Sequence, residues 1–135
     1  TRDRTIELVG RIQRELGILT MAHLTCVGSS KAEIAEVLQR LKAAGIRNVL
    51  ALRGDPPKGE TSFRATKDGF SHATELVAFA RSQWPELCIG AACYPEGHVE
   101  NRDLEVDLAH LVAKVRAGAD FLVSQLFFDN EDYRA

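Results

Sequence analysis

The sequence is short of every feature that would move it out of the class of ordinary soluble proteins. Among 135 residues there are 3 cysteines, an odd number that cannot all pair. No two of them form a Cys-x-x-Cys arrangement and no paired Cys/His spacing occurs, so Cys26, Cys88 and Cys93 are expected to be free thiols in a reducing compartment, with no metal. Neither charge is in excess, because 17 Lys and Arg stand against 19 Asp and Glu, for a net charge of -2. With both signs interspersed, no basic stripe is left for a nucleic-acid partner. No apolar run approaches the length of a membrane span, and Thr1-Arg2-Asp3-Arg4-Thr5 is too charged for a signal peptide. Gly-x-Gly-x-x-Gly and the Lys-containing phosphate loop are missing too, which removes the main support for the common open-sheet nucleotide folds. A cytoplasmic enzyme or binding domain remains. The chain begins at Thr1 without a methionine and stops just after a strand-like run, so it reads as a window of something longer.

What is present is a regular switch between two apolar periods. Ile6, Val9, Ile12 and Leu16 share a helical face from about Arg2 to Leu16, and Gly17 stops it. An apolar run from Ile18 to Thr25 follows. Ser30-Lys31-Ala32-Glu33 matches a capping box, Ile34, Val37, Leu38 and Leu41 form the stripe behind it, and Gly45 ends the helix. Asn48 to Leu52 reads as a buried strand, and a loop rich in Gly, Pro and charge runs from Arg53 to Asp68. Phe70, Ala73, Leu76, Val77 and Ala80 define a third helix that Pro85 stops, and Leu87 to Ala92 is the next strand. The fourth helix, about Arg102 to Ala117, is expected to turn Leu104, Leu108, Leu111, Val112 and Val115 inward, with Gly118 at its end and a strand from Phe121 to Gln125.

Helix and strand thus alternate four times at a spacing of roughly 35 residues with no hairpin signal, which calls for parallel strands joined by right-handed crossovers. Glycines at the helix-to-strand turns, Gly17, Gly45 and Gly118, favour a barrel over an open sheet. Four strands are half of an eight-stranded barrel.

Chemistry in parallel α/β folds collects at the carboxyl ends of strands, and the polar residues fall there: His23-Leu24-Thr25, Arg53-Gly54-Asp55, Tyr94-Pro95-Glu96-Gly97-His98, and Gln125 followed by Phe127-Phe128-Asp129. Taken singly, each has a bland reading as a core histidine, a loop ion pair, a rigid turn or a bridging amide; all four strands end in this way. Asp107, His110 and Lys114, at spacings of three and four, share one face of the fourth helix. From the residues alone this is a polar pocket able to hold a large ligand through several hydrogen bonds.

Ala22-His23-Leu24-Thr25-Cys26, Ala51-Leu52-Arg53-Gly54-Asp55-Pro56-Pro57, Ala92-Cys93-Tyr94-Pro95-Glu96-Gly97-His98, and Ala117-Gly118-Ala119-Asp120 leading to Gln125-Leu126-Phe127-Phe128-Asp129 together resemble the methylenetetrahydrofolate reductase family, over essentially the whole chain. The resemblance implies an α/β fold, the (β/α)8 TIM barrel, of which residues 1–135 are a partial catalytic domain covering about strands 3 to 6 and truncated at both ends. It implies a flavoprotein oxidoreductase of one-carbon and methionine metabolism that uses NADH or NADPH to reduce FAD and then reduces 5,10-methylenetetrahydrofolate to 5-methyltetrahydrofolate. It assigns FAD contacts to His23, Arg53, Gly54, Asp55, Ala73, Tyr94, His98, Asn101, Asp107, His110 and Lys114. Asp55 and Gln125 carry catalytic and substrate-binding roles in the same reading. His72 departs from the family pattern, standing where an aromatic residue is usual, and Ala113 stands where some members have Arg. The family's acid catalyst, a Glu on the first strand, is expected upstream of Thr1, so the piece alone is expected to be inactive and the full-length protein a homo-oligomer. Two other readings stay open: a flavin-free barrel aldolase or isomerase, and a ligand-binding barrel that has lost its chemistry.

Overall fold

The computed structural model describes residues 2–56, 63, 65–98 and 103–134. Its elements are α1 (Arg2–Leu16), β1 (Ala22–Thr25), α2 (Lys31–Ala43), β2 (Asn48–Leu52), α3 (Ala73–Gln83), β3 (Cys88–Cys93), α4 (Leu104–Arg116), β4 (Phe121–Ser124) and α5 (Asn130–Arg134). The four strands form one parallel sheet in chain order, with Leu24 opposite Ala51, Ala51 opposite Ala91 and Ala91 opposite Leu122. Parallel neighbours in chain order, each joined by a helix, make the arrangement a partial (β/α) barrel.

Local chemistry sets the helix ends. Ser30 caps α2: its hydroxyl accepts from the Glu33 N–H at 3.3 Å, and the Glu33 carboxylate accepts from the Ser30 N–H at 2.8 Å, so two orphan donors of the first turn are satisfied reciprocally. Asp103 caps α4, accepting from the N–H groups of Glu105 and Val106. Helices α2 and α4 end alike. Gly45 and Gly118 take positive φ, which lets the Ile46 N–H reach the Leu41 carbonyl and the Ala119 N–H reach that of Lys114, a closure that favours glycine.

The core lies between the sheet and the helices. Ala22, Leu24, Val49, Ala51, Ile89 and Ala91 pack against Ile34, Leu38, Leu41, Leu76, Val77 and Ala80. Alternation along the strands sends His23, Leu50, Gly90 and Phe121 to the other face. Gly90 is required there, since a Cβ would stand 2.6 Å from the Phe121 ring. At the amino ends of the strands, Arg81 donates to the carbonyls of Leu87 and Gly118 and to the Asp120 carboxylate, which also accepts from the Ile89 N–H at 2.7 Å. This clamp ties the end of α3 to the starts of β3 and β4, on the side of the sheet away from the strand-end polar residues.

The fourth unit departs from expectation. Leu104, Leu108, Val112 and Val115, expected inward, are exposed, and only Leu111 of the stripe is half-buried. Strand β4 is exposed along its length. The reason is positional: β4 is the edge of the described sheet, and no described element covers the outer side of α4. Strand β1 is shorter than the apolar run suggested, because Ile18 and Leu19 lie on an exposed connection. The short helix α5 has no apolar period that would mark it in the sequence.

Candidate functional site

The carboxyl ends of the strands open onto two adjoining cavities, of about 540 Å³ and about 170 Å³. Leu52, Arg53, Ala92, Tyr94 and His98 line both, so they form one continuous trough. The larger part is completed by Thr25, Gly54, Asp55, Glu96 and Gln125, from the ends of all four strands. The smaller part lies between α3 and α4, where Ala73, His72, Asp107, His110 and Lys114 complete its wall. The spacing of Asp107, His110 and Lys114 thus does bring all three into one cavity.

Of the residues singled out from sequence, Arg53, Gly54, Asp55, Ala73, Tyr94, His98, Asp107, His110, Lys114 and Gln125 line the trough. His23 does not: it is exposed on the sheet face away from the helices, beside Leu50, and lines neither cavity. Asn101 lies outside the described residues. The strand-end polar residues Thr25 and Glu96, and His72 at the position that departs from the family pattern, also line the trough, although the sequence assigns no site role to them. Among the described residues, no group of three or more His, Cys, Asp or Glu could hold a metal ion, and no helix is long and apolar enough to cross a membrane.

Lys114 is tied into the wall of the site. Its Nζ donates to the Ala92 carbonyl at 2.8 Å and stands 5.6 Å from the centre of the Tyr94 ring. Burial holds its pKa below the ordinary lysine value, opposed by the charges of Asp107 and Cys93. Tyr94 packs edge-on against His98, with centroids 4.7 Å apart. Burial first, then Asp107, push its phenol up, while Arg53 pulls the other way, so Tyr94 is a neutral hydrogen-bonding group at working pH. Burial likewise raises the Cys93 thiol against the pull of Lys114. All three cysteines are free, and Cys26 is buried with its Sγ against the Arg53 carbonyl. The trough therefore offers the basic side chains of Arg53 and Lys114, three imidazoles and the carboxyl groups of Asp55, Glu96 and Asp107.

The architecture has solved counterparts. The phosphoenolpyruvate phosphomutase of Streptomyces platensis subsp. rosaceus matches 92% of this chain and 44% of its own at 19% identity with a TM-score of 0.66. A 2,3-dimethylmalate lyase matches 99% and 45% at 14% identity with a TM-score of 0.71. At such identities the likeness concerns the fold alone. In sequence, methylenetetrahydrofolate reductase 2 of Schizosaccharomyces pombe is 39% identical over 98% of this chain and 22% of its own length. Methylenetetrahydrofolate reductase (NADH) 1 of Arabidopsis thaliana is 40% identical over 97% and 24%. The chain thus spans under a quarter of the length of these relatives. The methylenetetrahydrofolate reductase family model matches residues 1–135, and with the strand-end motifs seated along one trough, the chain belongs to the methylenetetrahydrofolate reductase family.

Proposed function

We propose that the protein carrying this chain reduces 5,10-methylenetetrahydrofolate to 5-methyltetrahydrofolate with electrons from NADH or NADPH passed through FAD. The observation that carries this reading is the continuous trough across all four strand ends, with the basic side chains of Arg53 and Lys114 in its lining, in a chain of this family. The residues present fit a flavin dinucleotide: the ligand is long, its diphosphate wants positive charge, and its ring wants flat apolar walls. Leu52 and Ala92 are such walls at the strand ends, shared by both parts of the trough.

FAD, when bound, supplies the hydride chemistry, accepting from the nicotinamide and donating to the folate. The chain's own residues do the rest. Lys114, held on the Ala92 carbonyl by burial and a hydrogen bond, would hold the diphosphate together with Arg53. Tyr94 and His98, packed edge-on, orient the ligand through hydrogen bonds. Asp55, exposed at the mouth of the larger cavity, favours positive charge on the folate as its methylene bridge opens and opposes negative charge on the reduced ring. Gln125, on the last strand end, offers both a donor and an acceptor and suits folate and nicotinamide bound in turn. Residues 1–135 would then form part of the catalytic barrel, about its third to sixth strands, of a cytoplasmic homo-oligomer. Relatives carry NADH in one name and NADPH in another, so either reductant suits the reading. The test is the absorption spectrum of the purified protein: a flavin band, or its appearance on adding FAD, is expected, and a folded protein that neither contains nor binds FAD contradicts the proposal.

A further inference from the structure

Arg53 is held at its backbone by one element and at its side chain by another. Its carbonyl accepts from the Val27 N–H at 2.9 Å and from the Cys26 Sγ at 3.3 Å, which ties the end of β2 to the end of β1 and fixes where the side chain starts. Where the guanidinium ends is a separate matter, because the arginine side chain keeps several rotatable bonds. The ring of Phe63, in the connection between β2 and α3, stands over that guanidinium, with its centre 4.9 Å from the Arg53 Cζ. This is within the range at which a cation is attracted to an aromatic face. Both side chains are half-buried. Arg53 lines both parts of the trough, whereas Phe63 lines neither, so the ring reaches the site through the arginine.

The form of the contact decides what it leaves available. A guanidinium is planar and carries its five N–H donors around its edge. A carboxylate partner takes some of those donors, but a ring stacked on the face takes none of them. Stacking therefore restrains the group and leaves its edge to an incoming anion. The charge so held is felt inside the trough, where Arg53 pulls the Tyr94 phenol down against the effect of burial.

Resting on the flavin reading above, we infer that Phe63 is a positioning residue: by stacking on Arg53 it holds the guanidinium where the two parts of the trough join, with its donors presented to the anionic groups of the ligand. The gain is one of preorganisation. An arginine already restrained in the free protein has less rotamer freedom to lose when it binds. Replacing the ring by an aliphatic side chain of similar bulk removes both the attraction and the restraint, which corresponds to a loss of about threefold to fivefold in affinity.

The test uses the complete protein containing this chain, freed of flavin. The unaltered form, Phe63→Leu, Phe63→Tyr, Arg53→Gln and Phe63→Leu/Arg53→Gln are titrated with FAD and with riboflavin and followed by flavin fluorescence. Riboflavin has the same ring system and no phosphate. Phe63→Leu is expected to weaken FAD binding by about threefold to fivefold and Phe63→Tyr to keep it within about twofold. Riboflavin binding is expected to change less than FAD binding, and Phe63→Leu to add nothing once Arg53 is replaced. Phenylglyoxal labelling of Arg53, located by mass spectrometry, follows the contact without flavin and is expected to run faster in Phe63→Leu. Unchanged FAD affinity in Phe63→Leu, an equal loss for riboflavin, the same loss with and without Arg53, or unchanged labelling overturns the positioning role and leaves the flavin reading intact. An unaltered protein that folds but binds no FAD removes the flavin reading and, with it, the role of Phe63 toward that ligand. Should Phe63→Leu fail to fold, Phe63→Met takes its place in each arm.

Discussion

Lys114 shows how one side chain can work against the fold and for the site. Burial lowers its pKa, so the native state holds the ammonium proton less tightly than the unfolded chain does. The unfolded chain keeps that proton up to the ordinary value of 10.5, so between the folded value and 10.5 it binds more protons and the stability of the fold rises with pH on this account. Lys114→Met is expected to stabilise the chain by up to about 1 kcal/mol near neutrality, an advantage that shrinks toward pH 10, while weakening FAD binding by roughly tenfold through the lost charge. Urea denaturation at the two pH values and a fluorescence titration with FAD check both signs. Tyr94 acts in reverse: its raised phenol contributes stability that is present below 10.0 and lost as pH rises through the folded value. At Asp55 the expectation concerns rate. Asp55→Asn should slow the folate half-reaction more than the oxidation of NADH or NADPH, because only the former places positive charge beside the carboxylate; stopped-flow measurement of each half-reaction distinguishes this from a general loss.

Among the elements, the two ends of the strands have separate duties. The site gathers at the carboxyl ends, while the Arg81–Asp120 clamp secures the amino ends. Asp120→Ala would strip an acceptor from both Arg81 and the part-buried Ile89 N–H, a loss of about 1–3 kcal/mol measurable by urea denaturation, with FAD affinity unchanged. Helices and strands were largely legible in the sequence because caps and glycine turns act locally: Ser30, Glu33, Gly45 and Gly118 all do what their types suggest. The burial of α4 was not legible. Leu104, Leu108, Val112 and Val115 have the period of a covered face, but periodicity says only which residues share a side, and cover depends on what lies beyond β4. In this chain Leu108→Glu is therefore expected to alter stability by within about 0.5 kcal/mol, whereas Leu76→Ala, at full burial, costs roughly 2–5 kcal/mol. Comparing the two denaturation midpoints tests the burial pattern directly.

At the scale of the whole molecule, the site was more legible than the packing, since strand-end polar residues must converge in a parallel fold whatever covers its outside. Ten of the residues expected from sequence share the trough. His23 shows the limit of that rule: it alternates onto the face away from the helices two residues before the strand end, where the rule does not distinguish wall from floor. The most direct measurement of the central claim is an anaerobic pair of half-reactions on one sample of the complete protein. The flavin absorption should be bleached by NADH or NADPH and then restored by 5,10-methylenetetrahydrofolate, with 5-methyltetrahydrofolate formed in equal amount. Flavin that is bleached but not restored by the folate, or protein that folds without binding flavin, would contradict it.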